Sequence, residues 1–425
     1  MGSRSSAMRI PCLALAFLAF GAPGGEAQQH GGAEQAGRRW TWGARVIGLA
    51  THASPALHGD AMTEAYVTQP IIGVDLSAWG GRIRLRGMGN LEGLTLAGGE
   101  LNAGAWGEGF VDRRHPHTYV HELVGTLEAG RGEAAASLTV GKGFAPYGTD
   151  DPAARPFVKF PVNHHLAQIL ERAVAIGAVR YGPVALEAGL FNGDEPQGPE
   201  HMPTVDRFGD SWAARVTVWP RSGLELSASR AWLNSPEDPG GAGLDRLLWS
   251  AAARWEAEAS GKRLYALAEW ARADELHRGQ RRFRFESVLV EASASAGRLG
   301  AALRLERTTR PEEERLADPF RSPRPHADFN IVGQTRWDIA TIQLHADAGE
   351  LAGLRGRPFV EVASSRPTQA VRPSLFVPSE FYGAERLWSF SAGVRLEARE
   401  PHARMGRYGA AEARGGHLPR PSAVH

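Results

Sequence analysis

Alternation of apolar and polar residues is the feature that most constrains this chain. It recurs from about residue 65 to residue 398 in segments of roughly ten residues, each ended by a Gly-rich or charged turn. Clear examples are Trp249–Glu258, Leu299–Glu306 and Phe390–Ala398. Because successive side chains of a strand point to opposite faces, each segment has one apolar face and one charged face.

A long series of such strands predicts a sheet that closes on itself. No helical segment of comparable strength interrupts the series, and a closed sheet can keep its charged face wet inside while its apolar face meets lipid. The sequence therefore predicts an all-β fold, a transmembrane antiparallel up-and-down β-barrel of about 16 strands, with a range of roughly 14–18. The alternative is a soluble all-β sandwich whose charged faces are solvated.

Short turns and long loops alternate along the chain, and this asymmetry favours the barrel. Barrels of the outer membrane have tight periplasmic turns and longer outer loops, whereas a sandwich has no such requirement. The pattern also predicts two separate strands at Phe329–Ile339 and Ile342–Leu351 and a loop between residues 273 and 282. The predicted tight turns are Gly80-Gly81, Gly130-Arg131-Gly132, Gly182-Pro183, Ser260-Gly261 and Gly297-Arg298.

The amino terminus predicts an export signal. Arg4 and Arg9 precede the apolar run Leu13–Phe20, and Gly25-Glu26-Ala27 offers the small residues that a signal peptidase reads. An uncleaved membrane anchor is the alternative, but the run falls far short of the ~20 residues needed to span. The predicted division is a signal peptide at 1–27, a flexible segment at 28–39, one barrel at 40–398 and a polar C-terminal tail at 399–425.

Composition indicates a bacterial envelope protein without nucleic-acid partners. The single cysteine, Cys12, lies in the predicted signal, so the exported chain has no disulfide. Lys and Arg number 48 against 47 Asp and Glu, which gives no basic bias toward nucleic acid. The sequence therefore predicts the bacterial outer membrane as location and outer-membrane lipid as a partner, and it predicts no cofactor.

One local segment carries a resemblance to a known family. The residues Gly141-Lys142-Gly143-Phe144-Ala145-Pro146-Tyr147-Gly148 end a predicted strand and enter a long loop, and Phe191-Asn192-Gly193 ends another strand. This arrangement resembles bacterial outer-membrane porins of the phosphate-selective type. Such barrels usually end on a strand with a terminal aromatic residue, whereas here residues 399–425 follow the last strand.

The resemblance implies a loop that folds inward and forms a constriction, for which residues 144–166 are the best candidate. An anion channel would need basic side chains at its narrowest point, but this loop has both signs. The same residues could instead only pack the loop on the wall. The constriction candidates are Asp150, Asp151, Arg155, Lys159, His164 and His165.

Charged residues of both signs are predicted to face the lumen from the strands. They could create a transverse field that orients polar solutes, or they could form Arg–Glu ladders that brace the wall at roughly 0–1 kcal/mol per solvated pair. The predicted lumen-facing residues are Arg82, Arg84, Arg86, Glu187, Arg215, Arg254, Glu256, Glu286, Arg304, Glu306 and Arg395.

Histidines raise the question of a metal site or an active site. His117 and His121 would share a strand face about 13 Å apart at ~3.3 Å per residue, too far to chelate one ion. No metal site is predicted. Barrel-embedded lipid hydrolases use a Ser–His pair, for which His345 and Ser391 are conceivable, but no nucleophile elbow selects them.

Three functional hypotheses follow from these residues. The first is a porin-like channel for passive diffusion of small polar or ionic solutes, which as a porin could be a homotrimer. The second is a closed structural or binding barrel without conductance. The third is a barrel-embedded lipid hydrolase, although the sequence favours a protein that is not an enzyme.

Overall fold

The computed structural model describes residues 40–55, 59–95, 118–149, 151–196, 198–313, 331–372, 374–399 and 404–412. All of these residues belong to one compact unit. The predicted signal peptide at 1–27 and the predicted flexible segment at 28–39 lie outside the described residues, so both stay predictions.

Strands make up nearly all of the regular structure. Three short α-helices occur in the described connections, α1 at Glu92–Thr95, α2 at His164–Ala167 and α3 at Pro378–Tyr382. No described helix has the length and apolar character needed to cross a membrane. The strands are β1 Trp40–Ser54, β2 Met62–Ala78, β3 Ile83–Asn90, β4 Val120–Arg131, β5 Ala134–Gly143, β6 Arg172–Tyr181, β7 Val184–Phe191, β8 Ser211–Arg221, β9 Leu224–Leu233, β10 Asp245–Ala259, β11 Lys262–His277, β12 Gln280–Ala296, β13 Leu299–Glu313, β14 Ile331–Ala346, β15 Glu350–Leu351, β16 Leu354–Gln369 and β17 Leu387–Ala398.

The sheet closes into a barrel of sixteen long antiparallel strands. Strands adjacent in sequence pair with each other, except that β15 is a two-residue strand in the turn between β14 and β16. The last strand pairs with the first, with Ala398 opposite Ala44 and Trp388 opposite Ser54. Since this closure leaves no free edge, it confirms the predicted all-β, up-and-down barrel.

Tight turns connect the strands at one end of the barrel, which is called the turn end below. Ser260 and Gly261 form the two-residue turn between β10 and β11, and both have positive φ, at 51° and 71°. This backbone matches the twist of a hairpin, which explains why glycine recurs at these turns. At the opposite, long-loop end, longer connections join β3 to β4, β5 to β6, β7 to β8 and β16 to β17.

Two predicted strand boundaries are wrong. The sequence predicts two strands, Phe329–Ile339 and Ile342–Leu351, but β14 runs without a break through Ala340 and Thr341. Trp337 and Ile339 point into the lumen, whereas Ile342 points outward. The apolar residues therefore move from one face of β14 to the other, and in the sequence this break in the alternation has the pattern of a turn. The predicted loop between 273 and 282 is also replaced by long strands and a two-residue turn at Arg278 and Gly279.

The two faces of the strands differ as alternation predicts. On β12, Val288 and Val290 are 52% and 46% exposed on the outer face, whereas Glu291 is fully buried on the inner face. Exposed aliphatic side chains recur on the outer face of most strands and form an apolar band. Such a band is stable only against lipid hydrocarbon.

Candidate functional site

The connection between β5 and β6 folds into the barrel. Residues 144–171, called the inward loop, are described except for residue 150. Side chains of β13 and β17, strands that are distant in the sheet from β5 and β6, donate hydrogen bonds to its carbonyl groups: Arg304 to Lys159 at 2.9 Å and Arg395 to Phe157 at 3.3 Å. Phe157 is fully buried. The loop therefore crosses the lumen and is fixed by its backbone as well as by its side chains.

Arg155 is held by two carboxylates of the wall. Its guanidinium lies 3.1 Å from Glu269 on β11 and 3.7 Å from Glu291 on β12, and the side chain is 1% exposed. Glu269 also accepts hydrogen bonds from Asn163 at 2.7 Å and from Thr149. Glu269 therefore joins three separate points of the inward loop to one strand.

Lys159 lies on another side of the lumen. Its ammonium group is 3.5 Å from Glu361 on β16 and donates to the hydroxyl of Ser389 on β17 at 3.2 Å. Burial lowers the pKa of Lys159 below its ordinary value, while the carboxylate of Glu361 opposes this shift. Arg155 and Lys159 thus tie the loop to strands on different parts of the wall.

The other predicted constriction residues have local roles or lie outside the description. Asp151 accepts a hydrogen bond from the backbone N–H of Ala153 at 2.7 Å, which stabilises a short turn. His164 is buried with its ring 5.2 Å from that of Phe160. Nothing is described for Asp150 or for the side chain of His165. The structure thus brings Arg155 and Lys159 against carboxylates, and a role in selectivity stays a prediction.

Most of the predicted lumen-facing residues point inward and are paired. Glu187 and Arg215 form a two-point ion pair at 2.6 and 2.8 Å with both side chains 1% exposed. Arg304 donates to Glu291 at 2.7 Å and lies 4.3 Å from the ring centre of Phe157. The pairs span neighbouring strands, so they brace the wall as ladders. Arg84, Arg86, Arg254, Glu256, Glu306 and Arg395 also face inward.

The structure corrects the prediction for two residues. Glu286 is exposed and shares its face with Val288 and Val290, so it lies on the outer face of β12. β12 extends beyond the apolar band toward the long-loop end, so residues on its outer face can be charged there. Phe285, on the opposite face of β12, points into the lumen. Arg82 precedes β3 in the turn and is exposed at the barrel end.

A second segment inside the barrel was not anticipated from the sequence. Residues 404–412, called the C-terminal segment, lie within the predicted polar tail, yet Met405, Tyr408 and Ala410 are 4%, 2% and 0% exposed. Glu225 on β9 accepts hydrogen bonds from Arg404 at 2.5 and 2.7 Å and from Arg407 at 3.0 Å. The segment therefore occupies the lumen beside β9.

The signal for this segment was its composition. Arg404, Arg407 and Glu412 alternate with Met405 and Tyr408 and with small residues, which differs from a solvated, uniformly polar tail. Burial raises the pKa of the Tyr408 hydroxyl well above its ordinary value, and the nearby carboxylate of Glu122 adds to the rise. Tyr408 is therefore neutral, and its oxygen accepts a hydrogen bond from the backbone N–H of Phe144 at 3.0 Å.

Cavities lie beside the inward loop among the described residues. The vestibule opens at the long-loop end and is lined by Val162, Leu166, Phe285, Arg172, Arg246 and Glu275. The wall cavity lies between the loop and β13, β14 and β16, and is lined by Lys159, Val162, Arg304, Glu306 and Glu361. Both cavities share Val162, so they adjoin along one side of the loop.

Histidine and serine candidates are placed apart. Ser391 exchanges a hydrogen bond with Thr51 at 2.8 Å inside the barrel. Ser391 lies opposite Glu361 on β16, and Glu361 lies opposite Gln343 on β14. His345 is two residues from Gln343 along β14, so β16 separates Ser391 from His345. Among the described residues, no group of three or more His, Cys, Asp or Glu could hold a metal ion. His115 and His117 lie outside the described residues.

Comparison with known proteins finds similarity in structure only. No family model and no curated protein matches the chain. The anion-selective porin from Comamonas acidovorans is 13% identical with a TM-score of 0.51, over 84% of this chain and 99% of that one. The corresponding values for the OmpT loop L8 deletion mutant of Vibrio cholerae are 10%, 0.47, 84% and 98%. For the outer membrane channel DcaP of Acinetobacter baumannii they are 11%, 0.43, 84% and 96%.

At these identities the similarity to the Comamonas porin shows the fold, a porin-like barrel. A closed antiparallel barrel with an apolar outer band is the strand architecture that spans bacterial outer membranes. The barrel therefore lies in the bacterial outer membrane, and the predicted fold and location are confirmed.

Proposed function

We propose that this protein is a porin-like channel of the outer membrane through which small polar or ionic solutes diffuse passively. The inward loop is the observation that carries the proposal. It crosses the lumen and is bonded to β11 through Arg155 and to β16 through Lys159. Bonds to several strands fix the position of the loop, and a loop in a fixed position narrows a water-filled lumen as a size filter requires.

A solute route follows one side of this loop. The vestibule collects solutes at the long-loop end, and the wall cavity continues past Val162 toward β14 and β16. Both cavities are lined by guanidinium and carboxylate groups, which replace part of the hydration shell of a polar solute. The proposed solutes are therefore small and hydrophilic.

Planar-bilayer recording tests the proposal directly. Purified, refolded full-length protein is expected to produce stable ohmic conductance steps. The control is the same preparation after heat denaturation, with the folded barrel identified by its faster migration on unheated gels. Folded, inserted protein that shows no steps would overturn the channel proposal.

Charge in the wall cavity is expected to set ion preference. We expect Lys159→Gln to shift the reversal potential in a salt gradient toward cations and Glu361→Gln to shift it toward anions. Each permeability ratio should change by about twofold or more, because a unit charge near a protein surface contributes up to ~4 kcal/mol at 4 Å. Glu286→Gln, on the outer face, is the matched control and should leave the ratio unchanged. Equal reversal potentials in all variants would remove the wall cavity from the route.

The finer resemblance to phosphate-selective porins is part of the same proposal. The wall cavity contains Lys159 and Arg304 but also Glu306 and Glu361, so net preference depends on how these groups are paired. Reversal potentials with phosphate and chloride salts test it. The homotrimer that a porin could form is tested by measuring the mass of the detergent-solubilised protein.

A closed binding barrel is the second candidate function. The observation that favours it is that two segments, the inward loop and the C-terminal segment, occupy one lumen. Folded protein without conductance would support this function instead. The hydrolase hypothesis has no comparable support, because Ser391 is bonded to Thr51 and faces the lumen. We therefore propose that the protein is not an enzyme.

A further inference from the structure

We infer that the C-terminal segment is a displaceable plug that blocks the β3–β9 side of the lumen and thereby limits conductance. This inference rests on the proposed channel function and adds a regulated state to it. β17 ends at Ala398 at the turn end, and the described C-terminal segment begins at Arg404 inside the barrel. The wall residues that hold the segment lie close to the tight turns.

Both ends of the segment are anchored by charge. Arg404 and Arg407 donate to the carboxylate of Glu225, which lies one residue after the start of β9. Glu412 accepts hydrogen bonds from Arg84 and Arg86 on β3, each at 2.6 Å. The segment thus spans the lumen from β9 to β3, with opposite charges at its two ends matched by opposite charges on the wall.

The backbone between these anchors is also recognised by wall side chains. Arg215 donates to the carbonyl oxygen of Gly406 at 2.7 Å, and Arg86 donates to that of Arg407 at 3.0 Å. The N–H of Ala410 donates to the hydroxyl of Ser137 at 2.9 Å. The wall of β3–β9 is therefore a built receptor for this particular segment.

Close packing explains the glycine at position 409. Gly409 has φ of 52°, and a Cβ atom there would lie 2.4 Å from Oγ of Ser137. Any larger residue would force the segment away from β5. The fit of the segment to the wall is thus steric as well as electrostatic.

The segment can leave without opening the sheet. Its described hydrogen bonds to the strands all use strand side chains, and β17 pairs with β1 directly, so the ladder closes without it. Tyr408 also contacts the backbone of Phe144, at the start of the inward loop. Departure of the segment would therefore unblock the β3–β9 side of the lumen and release one contact of the loop.

Truncation after Ala398 tests the plug by conductance. The truncated barrel is expected to show a single-channel conductance at least twofold that of the full-length chain. If both forms conduct equally, the plug is overturned and the channel stands. If both are folded, inserted and silent, the channel proposal fails and the plug fails with it.

A full-length variant keeps the test valid if the truncated chain does not fold. Ser137→Cys with Ala410→Cys places two thiols at a contact, and the only native cysteine, Cys12, is in the predicted signal. The oxidised protein is expected to hold the low conductance, and reduction should allow openings of the larger size. Glu225→Gln, which weakens the arginine anchor, should raise the fraction of time spent in the large state, whereas Glu258→Gln on the neighbouring strand should not. An oxidised pair that conducts as much as the truncated chain would overturn the plug.

Discussion

Glu269→Ala is expected to lower the free energy of unfolding of the barrel by about 3–5 kcal/mol, the typical cost of leaving a buried charge without its partner. Glu269 is fully buried and receives Arg155, Asn163 and Thr149 of the inward loop. Without it, the guanidinium of Arg155 keeps Glu291 at 3.7 Å and the hydroxyl of Thr149 at 2.8 Å but loses its 3.1 Å carboxylate partner. Chemical unfolding in detergent, followed by tryptophan fluorescence, measures the loss.

The same substitution is expected to increase conductance, because a loop with fewer anchors narrows the lumen less. Glu269→Gln keeps the shape and one acceptor, so its loss of stability should be smaller than that of Glu269→Ala. Glu258→Ala, at an exposed position on β10, is the control and should stay within about 0.5 kcal/mol. If Glu269→Ala were as stable as this control, the carboxylate would not be the anchor of the loop.

Val290→Arg is expected to destabilise the inserted barrel by about 2–4 kcal/mol, the cost of arginine at the middle of the membrane on a lipid-facing strand. Val290 is 46% exposed on the outer face of β12, beside Leu305 of β13, which is 48% exposed. Its surroundings can neither hydrate nor pair a guanidinium. Unfolding in lipid vesicles measures the change.

Glu286→Arg is the matched control, four residues along the same face. The structure places Glu286 outside the apolar band, so arginine there should cost about 0–1 kcal/mol. Equal effects at positions 286 and 290 would contradict the assigned depth of the band. A neutral Val290→Arg would contradict the membrane orientation of the whole barrel.

The alternation of residues was sufficient to predict the barrel, because its period identifies both faces of each strand independently of the strand's partners. The predictions from alternation were wrong where an apolar residue lies in the lumen or a charged residue lies on the outer face. Trp337 and Ile339 are apolar residues in the lumen, and their phase suggested a turn within β14. Glu286 has the charge of a lumen residue but lies outside, since depth in the membrane does not appear in the sequence.

The candidate site was only partly predictable. Arg155 and Lys159 could be named because they lie in a long loop after a distinctive strand end, but their partners Glu269 and Glu361 are separated from them by more than 100 residues. The C-terminal segment was missed for the same reason. Its arginines meet Glu225 only after sixteen strands have closed.

Two properties of this protein therefore have different origins. The membrane-facing surface and the charged interior follow from the two-residue period alone, since a strand has no other way to separate its side chains. What fills the interior depends on closure of the barrel, which brings distant carboxylates and guanidinium groups within hydrogen-bond distance of the inward loop and the C-terminal segment. Contact between residues far apart in the chain is a property of the folded sheet, and local sequence does not encode it.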